Sequence, residues 1–201
     1  MKKNFAVSAM LCVCLSPASA LAGMYIGADI GFGHWDVDFS DDFNIDGSLS
    51  GGSFKRGDVA GGIRLGYQIT DRVATEVSYQ SLGKTTYDGR SVGGAFFCPG
   101  KVNAEVKATA VDATLVGNLP ITTSLNLLGR VGVARWSSEA KLDDSCGRFS
   151  GSDTGTDLTF GLGVQWDASD RYSFRLEGQQ YNDVGDEFTI RTVSLGLLAR
   201  F

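Results

Sequence analysis

Apolar and polar residues alternate along most of this chain. From Met24 every second residue is apolar: Met24, Ile26, Ala28, Ile30 and Phe32, and later Leu158, Phe160, Leu162, Val164 and Trp166. A period of two marks a β-strand with two unlike faces. The pattern predicts eight strands, at Met24–Trp35, Asp58–Ile69, Val73–Leu82, Val106–Leu119, Ser124–Ser137, Asp157–Ala168, Tyr172–Tyr181 and Phe188–Phe201. The last run sets Val193, Leu195, Leu197, Ala199 and Phe201 on one face and closes on an aromatic residue.

The connections are of two kinds. Thr70–Arg72, Pro120–Thr123 and Ser169–Arg171 are short and built from the Pro, Asp, Ser and Thr that tight turns use. The stretches 36–57, 83–105 and 138–156 are long, and Asn182–Glu187 is shorter. Short turns on one side and long loops on the other are the arrangement of outer-membrane barrels, with the long loops outside the cell. A helix needs about 20 apolar residues to cross a bilayer, and no segment after residue 22 comes near that length. A crossing must therefore be a closed barrel, since backbone groups in lipid find no water. The fold class expected is all-β: an eight-stranded antiparallel up-and-down transmembrane β-barrel spanning residues 23–201.

A secreted sandwich or lipocalin-like barrel also alternates. Here, however, the apolar residues alternate with Gly, Ser, Thr, Gln and charges rather than with a second bulky set. Gly27, Gly31, Gly33, Gly62, Gly66, Gly132, Gly161, Gly163 and Gly196 sit opposite the apolar face. Aromatic residues gather near the strand ends, as interfacial girdles require. Tyr67, Trp166, Tyr172, Phe174 and Phe201 are expected on the periplasmic side, and Trp35, Tyr79, Trp136 and Phe188 on the outer side.

Residues 1–22 read as a secretory leader: Lys2 and Lys3, then an apolar stretch from Phe5 to Leu15, then Ala20-Leu21-Ala22. Cleavage is expected after Ala22, with Ala20 the alternative. Cys12 and Cys14 lie within the stretch, but Val13 is a poor residue before a lipid-modified cysteine. The chain carries a formal charge of −5, and losing Lys2 and Lys3 makes the remainder more acidic. An acidic chain without a basic stripe argues against a nucleic-acid partner.

Three blocks carry a family resemblance. They are Met24-Tyr-Ile-Gly-Ala-Asp-Ile-Gly-Phe-Gly33, Gly66-Tyr-Gln-Ile-Thr-Asp-Arg-Val-Ala-Thr-Glu-Val-Ser-Tyr-Gln-Ser-Leu-Gly-Lys84 and Leu115-Val-Gly-Asn-Leu-Pro120. They resemble the OmpA-like transmembrane barrels and the small opacity-type outer-membrane proteins. The resemblance implies residence in the outer membrane of a Gram-negative bacterium, with outer-membrane lipids and lipopolysaccharide around the belt. It also implies a barrel-assembly machinery that reads Phe201. OmpA continues into a peptidoglycan-binding domain; this sequence stops at strand eight, so cell-wall anchoring is not expected.

Strand parity assigns an interior. With Ile26 and Phe32 facing lipid, Asp29, Arg64, Glu76, Asp112, Arg130, Arg175 and Glu177 point inward. An eight-stranded barrel is just wide enough for side chains to fill, and buried charges must be paired. The set reads as a structural plug, or alternatively as a gate whose ion pairs exchange to open a small path. Glu105 and Lys107 fall on the lipid parity. They lie above the bilayer, or a bulge near Ala108 shifts the register.

Cys98 and Cys146 remain after the leader and fall in adjacent long loops. In an oxidising compartment a disulfide is the natural reading. It closes a loop of roughly fifty residues, which chain-entropy models value at about 4 kcal/mol. Free thiols or a metal pair are the alternatives, but two cysteines without a histidine make a poor zinc site. The single histidine, His34, has the outward parity, and no nucleophile motif accompanies it, so no enzyme is expected. Asp36, Asp38, Asp41, Asp42, Asn44 and Asp46 do not keep EF-hand spacing and read as a solvated acidic loop. No cofactor or metal is implied. The function expected is a structural, surface-interaction barrel whose loops contact host, phage or cell-surface ligands; the alternative is a narrow gated channel for small solutes.

Overall fold

The computed structural model describes residues 23–37, 44, 47–184 and 188–201. The leader and Asp38, Asp41, Asp42 and Asp46 lie outside the described residues.

Nine strands form: β1 Met24–Asp36, β2 Leu49–Lys55, β3 Gly57–Thr70, β4 Val73–Ser91, β5 Gly100–Pro120, β6 Leu125–Asp144, β7 Gly147–Asp167, β8 Tyr172–Val184 and β9 Phe188–Arg200. Eight of them pair antiparallel in a closed ring, β1-β3-β4-β5-β6-β7-β8-β9 and back to β1. Closure removes the free edges within the barrel. The ninth strand, β2, has no counterpart among the eight expected. It runs in line with β3, separated from it only by Arg56, and pairs with β4 from Lys55↔Thr86 to Leu49↔Ser91. Its sequence, Leu-Ser-Gly-Gly-Ser-Phe-Lys, lacks the alternation that would have marked it.

The three short turns share one device. Thr70, Thr122 and Ser169 each accept two backbone N–H bonds on the side-chain hydroxyl, from Arg72 and Val73, from Ser124 and Leu125, and from Arg171 and Tyr172. A hydroxyl at the turn's start substitutes for a backbone partner.

Alternation maps onto the two faces of the wall. Ile26, Ile30 and Phe32 of β1, Ile63 and Leu65 of β3, Val131 and Val133 of β6, and Val193 and Leu195 of β9 all point outward and are exposed. Leu162 is 70% exposed. Water-soluble monomers rarely expose a contiguous apolar surface of this kind. No helix among the described residues is long and apolar enough to cross a membrane; the strands do the crossing. Tyr67, Trp166, Tyr172, Phe174 and Phe201 are exposed at the short-turn end, and the Trp166 and Phe174 rings stack at 5.8 Å.

The outer half differs from expectation in three ways. The second and third long loops are mostly strand. β4 and β5 stay paired out to Ser91↔Gly100, and β6 and β7 to Asp144↔Gly147, leaving only Ser145 and Cys146 as a turn. The outer part of β5 does alternate, Val102, Ala104 and Val106 against Lys101, Asn103 and Glu105, whereas the outer part of β7 is exposed on both faces and shows no period. A bulge does occur opposite Ala108, but on the neighbouring strand. The β4–β5 register steps from Ser81↔Thr109 to Lys84↔Lys107, and Gly83 takes φ +80°. Glycine reaches that conformation at little cost. Inward parity on β4 thereby switches from Ser78 and Gln80 to Thr85 and Tyr87, whereas β5 keeps its parity. Glu105 and Lys107 project outward beyond the apolar belt and pair with Lys84 and Glu139.

The third difference concerns the outer girdle. Tyr79 is exposed as expected, but Trp35 and Trp136 are 1% and 3% exposed and lie inside the barrel. With Leu82, Ala110, Ala134, Tyr181 and Ile190 they form an apolar layer across the lumen, and Phe188 packs against it. Their own parity, shared with Asp29 and Arg130, already pointed inward. Glycine makes the room. Trp136 lies across from Gly155 and Tyr25 across from Gly66, and a Cβ on either glycine would overlap the ring.

Candidate functional site

The lumen is filled in layers. Nearest the short turns, Tyr25, Ala74, Val116, Leu128 and Leu198 pack together. The charged residues lie between this cluster and the tryptophan layer. Glu76 on β4 is the hub. Its carboxylate meets Arg130, Arg175 at 2.6 Å and Arg64 at 3.4 Å, and accepts the Tyr25 hydroxyl at 2.6 Å. Glu177 on β8 meets Arg130 at 2.8 Å, Arg64 at 3.3 Å and Arg175 at 3.7 Å. Asp29 on β1 holds Arg64 at 2.7 Å and accepts from Gln80. Three acids thus face three arginines drawn from five strands, with side chains at most 3% exposed.

Asp112, the seventh inward charge expected, stands apart. Its Oδ2 accepts from Ser78 at 3.0 Å, Tyr181 at 3.0 Å and Gln179 at 3.2 Å, and no arginine lies within ion-pair distance among the described residues. Its Oδ1 is buried with no partner. An unpaired buried carboxylate is costly, whereas an amide keeps the acceptor that three donors need. Asp112→Asn is therefore expected to change barrel stability by no more than about 1 kcal/mol, in the stabilising direction if at all. Urea unfolding of the lipid-refolded barrel measures this, and a loss of several kcal/mol would show that Asp112 is paired after all.

Several lumen residues were not singled out from sequence. Gln165 accepts two bonds from Arg175, and Gln179 accepts from Arg130 while donating to Asp112 and Thr159. Each has inward parity on its strand, the one signal that could have found it. Gln165 also donates to Asp167, where Asn126, Ser173 and Arg200 converge at the short-turn mouth. His34 faces outward, exposed, between Gly57 and Arg191.

Above the membrane belt, β2, β4, β5, β6 and β7 continue as a sheet. Leu49, Tyr87, Val102 and Ala104 form its own apolar cluster, with Phe54, Phe97 and Leu142 packed on it. A disulfide joins Cys98 to Cys146, tying the β4–β5 loop to the tip of the β6–β7 hairpin. The Asp144 carboxylate accepts the backbone N–H groups of Cys98, Cys146 and Gly147, and these bonds hold its pKa below the ordinary carboxylate value. The cap is at full strength above that ordinary value and is lost as pH falls through the lowered one. Phe201 is exposed at the other end of the barrel, its N–H donating to the Met24 carbonyl.

A closed ring of eight antiparallel strands, apolar outside and charged within, defines a transmembrane β-barrel of the outer-membrane type. Comparison with known proteins narrows this. The chain matches the family described as outer membrane protein beta-barrel domain over residues 5–201, and it belongs to that family. It is 30% identical to outer membrane protein A of Shigella dysenteriae over 186 residues, covering 88% of this chain and 48% of that protein. It is 33% identical to the Shigella flexneri protein over 143 residues, covering 68% of this chain and 38% of the relative. The chain thus spans about half, or less, of these relatives' length. Among solved structures, Neisserial surface protein A superposes with a TM-score of 0.57 at 15% identity, over 90% of this chain and 98% of that one. Ail, the attachment invasion locus protein of Yersinia pestis, in complex with the heparin analogue sucrose octasulfate, gives 0.55 at 18%, over 89% and 99%. The protein resides in the outer membrane of a Gram-negative bacterium.

Proposed function

We propose that this is a closed barrel whose working surface is the extracellular sheet. The observation that carries the reading is the double filling of the lumen. A six-residue ion network and, above it, the Trp35–Trp136 layer both cross the interior, while β4 to β7 extend well past the belt. The seven inward residues Asp29, Arg64, Glu76, Asp112, Arg130, Arg175 and Glu177 then serve as a plug. Residues 1–22 act as the export leader, Phe201 as the signal to the barrel-assembly machinery, and phospholipid and lipopolysaccharide surround the belt. The partner on the outer sheet is a host, phage or cell-surface ligand. No enzymatic step is part of this reading. That Ail was solved with a heparin analogue supports an extracellular ligand on this architecture.

Planar-bilayer recording tests the reading. The refolded barrel is expected to stay electrically silent, and Arg130→Ala with it, because the tryptophan layer blocks the lumen independently of the ion network. Stable, ion-selective steps from the wild type would promote the gated-channel alternative and turn the inner charges into gating groups.

A further inference from the structure

β6 pairs with β7 along its full length, from Leu125↔Trp166 to Asp144↔Gly147. β8 joins β7 only from Thr159↔Tyr181 inward, because the chain turns back between Val184 and Phe188. Among the described residues, the outer part of β7 therefore has a neighbour on one side only. The direction of its backbone groups follows from one bond. The Asp167 N–H donates to the Ser124 carbonyl on the β6 side at 2.8 Å. Backbone groups alternate sides along an antiparallel strand, and the β6–β7 register shows no shift, so odd-numbered residues bond β6 throughout. Arg148, Ser150, Ser152 and Thr154 then aim N–H and C=O at the open side; the Thr154 N–H is taken by the Asp153 carboxylate at 2.8 Å, so the donors offered to a partner are those of Arg148, Ser150 and Ser152.

Such an edge is normally blunted by proline, lysine, a bulge or a covering loop. Residues 147–154 read Gly-Arg-Phe-Ser-Gly-Ser-Asp-Thr, with no proline, no lysine and no bulge, and Arg148 is occupied by Asp143 at 2.8 Å. The inward face beside the edge holds an apolar cleft of about 500 Å³ lined by Phe96, Phe97, Val106, Leu142 and Phe149. Phe149 is 58% exposed and Phe96 63%.

We propose that the Arg148–Thr154 edge of β7 docks an extended polypeptide strand of a partner, which joins the extracellular sheet and sets alternate apolar side chains in the Phe96–Phe149 cleft. The inference rests on the surface-interaction reading above and names the partner's chemistry. Donor–acceptor pairs repeating every two residues, roughly 7 Å apart, match an extended peptide backbone. A second copy is a poor occupant. In one membrane its β7 runs in the same direction, and a two-fold axis along the membrane normal sets equivalent backbone groups level with one another, which is not a hydrogen-bonding register.

Amide hydrogen exchange by NMR, on the refolded chain in lipid nanodiscs, tests this. The probe is a synthetic peptide of alternating valine and threonine with a lysine at each end. Without peptide, the Arg148, Ser150 and Ser152 amides are expected to exchange fast and those of Phe149, Gly151 and Asp153 slowly. Peptide is expected to slow the even-numbered set at least tenfold and leave the odd set unchanged. Ser152→Pro removes an edge donor that the fold does not use, so it is expected to abolish this protection while the odd amides stay slow. Phe149→Ser, which leaves the edge groups in place, is expected to weaken the peptide about tenfold. Even-numbered amides that are slow before peptide is added, no slowing at millimolar peptide, or unchanged binding by both variants would each overturn the proposal. No peptide effect with an electrically silent lumen would remove strand docking and leave the surface reading standing; conducting steps would remove the surface reading itself.

Discussion

Glu76→Gln is expected to cost the barrel about 3–5 kcal/mol, the range found when one partner of a buried ion network is removed. Glu76 touches all three lumen arginines and accepts the Tyr25 hydroxyl, and its side chain is wholly buried. The glutamine keeps the volume, so no cavity forms. What changes is charge: three arginines then share Asp29 and Glu177, and one positive charge is left without a counterpart in a dry interior. Because the loss is one of balance, Glu76→Gln combined with Arg130→Gln should lose less than the two single changes summed, as expected for residues in one network. Urea unfolding in lipid vesicles, followed by tryptophan fluorescence and by the heat-dependent gel shift, measures both. A single-variant loss below 1 kcal/mol, or strict additivity, would show that the network contributes little to the fold.

The second large effect is expected at the disulfide. Cys98 and Cys146 are 48 residues apart in sequence, and chain-entropy models assign closure of such a loop about 4 kcal/mol as an upper figure. The enclosed segment contains all of β5 and β6, so the constraint bears on the unfolded barrel as well as on the surface. The double variant Cys98→Ser/Cys146→Ser should lower the urea midpoint by an amount approaching that figure, and dithiothreitol should do the same to the wild type. Coincident unfolding curves with and without reductant would show that the bond shapes only the outer sheet. Loss of the bond should also free the loop carrying Phe96 and Phe97 from the β6–β7 tip, which faster amide exchange there would report.

Much of the barrel was legible because β-strands have a period of two and the two faces here meet opposite solvents. Ile26 and Asp29 cannot share a face, so once one is assigned to lipid the other is inside, and the same count placed the remaining six charges. The short turns were legible from Thr70, Thr122 and Ser169 and their neighbours, because turn chemistry is local.

Tertiary structure decided the rest. Parity gives the side of the wall but not the height along it, because height depends on the stagger between strands far apart in sequence. That stagger brings Glu76 level with Arg130 and Arg175, and leaves Asp112 to Ser78, Gln179 and Tyr181 instead of an arginine. It also brings Trp35 and Trp136, whose parity already pointed inward, to one level in the lumen, where Gly155 leaves space for an indole. Beyond the membrane the sheet packs one face on the Leu49–Tyr87–Val102–Ala104 cluster; the outer part of β5 carries the alternation in Val102, Ala104 and Val106, whereas β2 and the outer part of β7 carry no such mark. Their pairing is dictated by neighbours that only the closed ring brings together, and so is the outer edge of β7, which has no partner among the described residues because β8 ends at Val184 while β7 begins at Gly147.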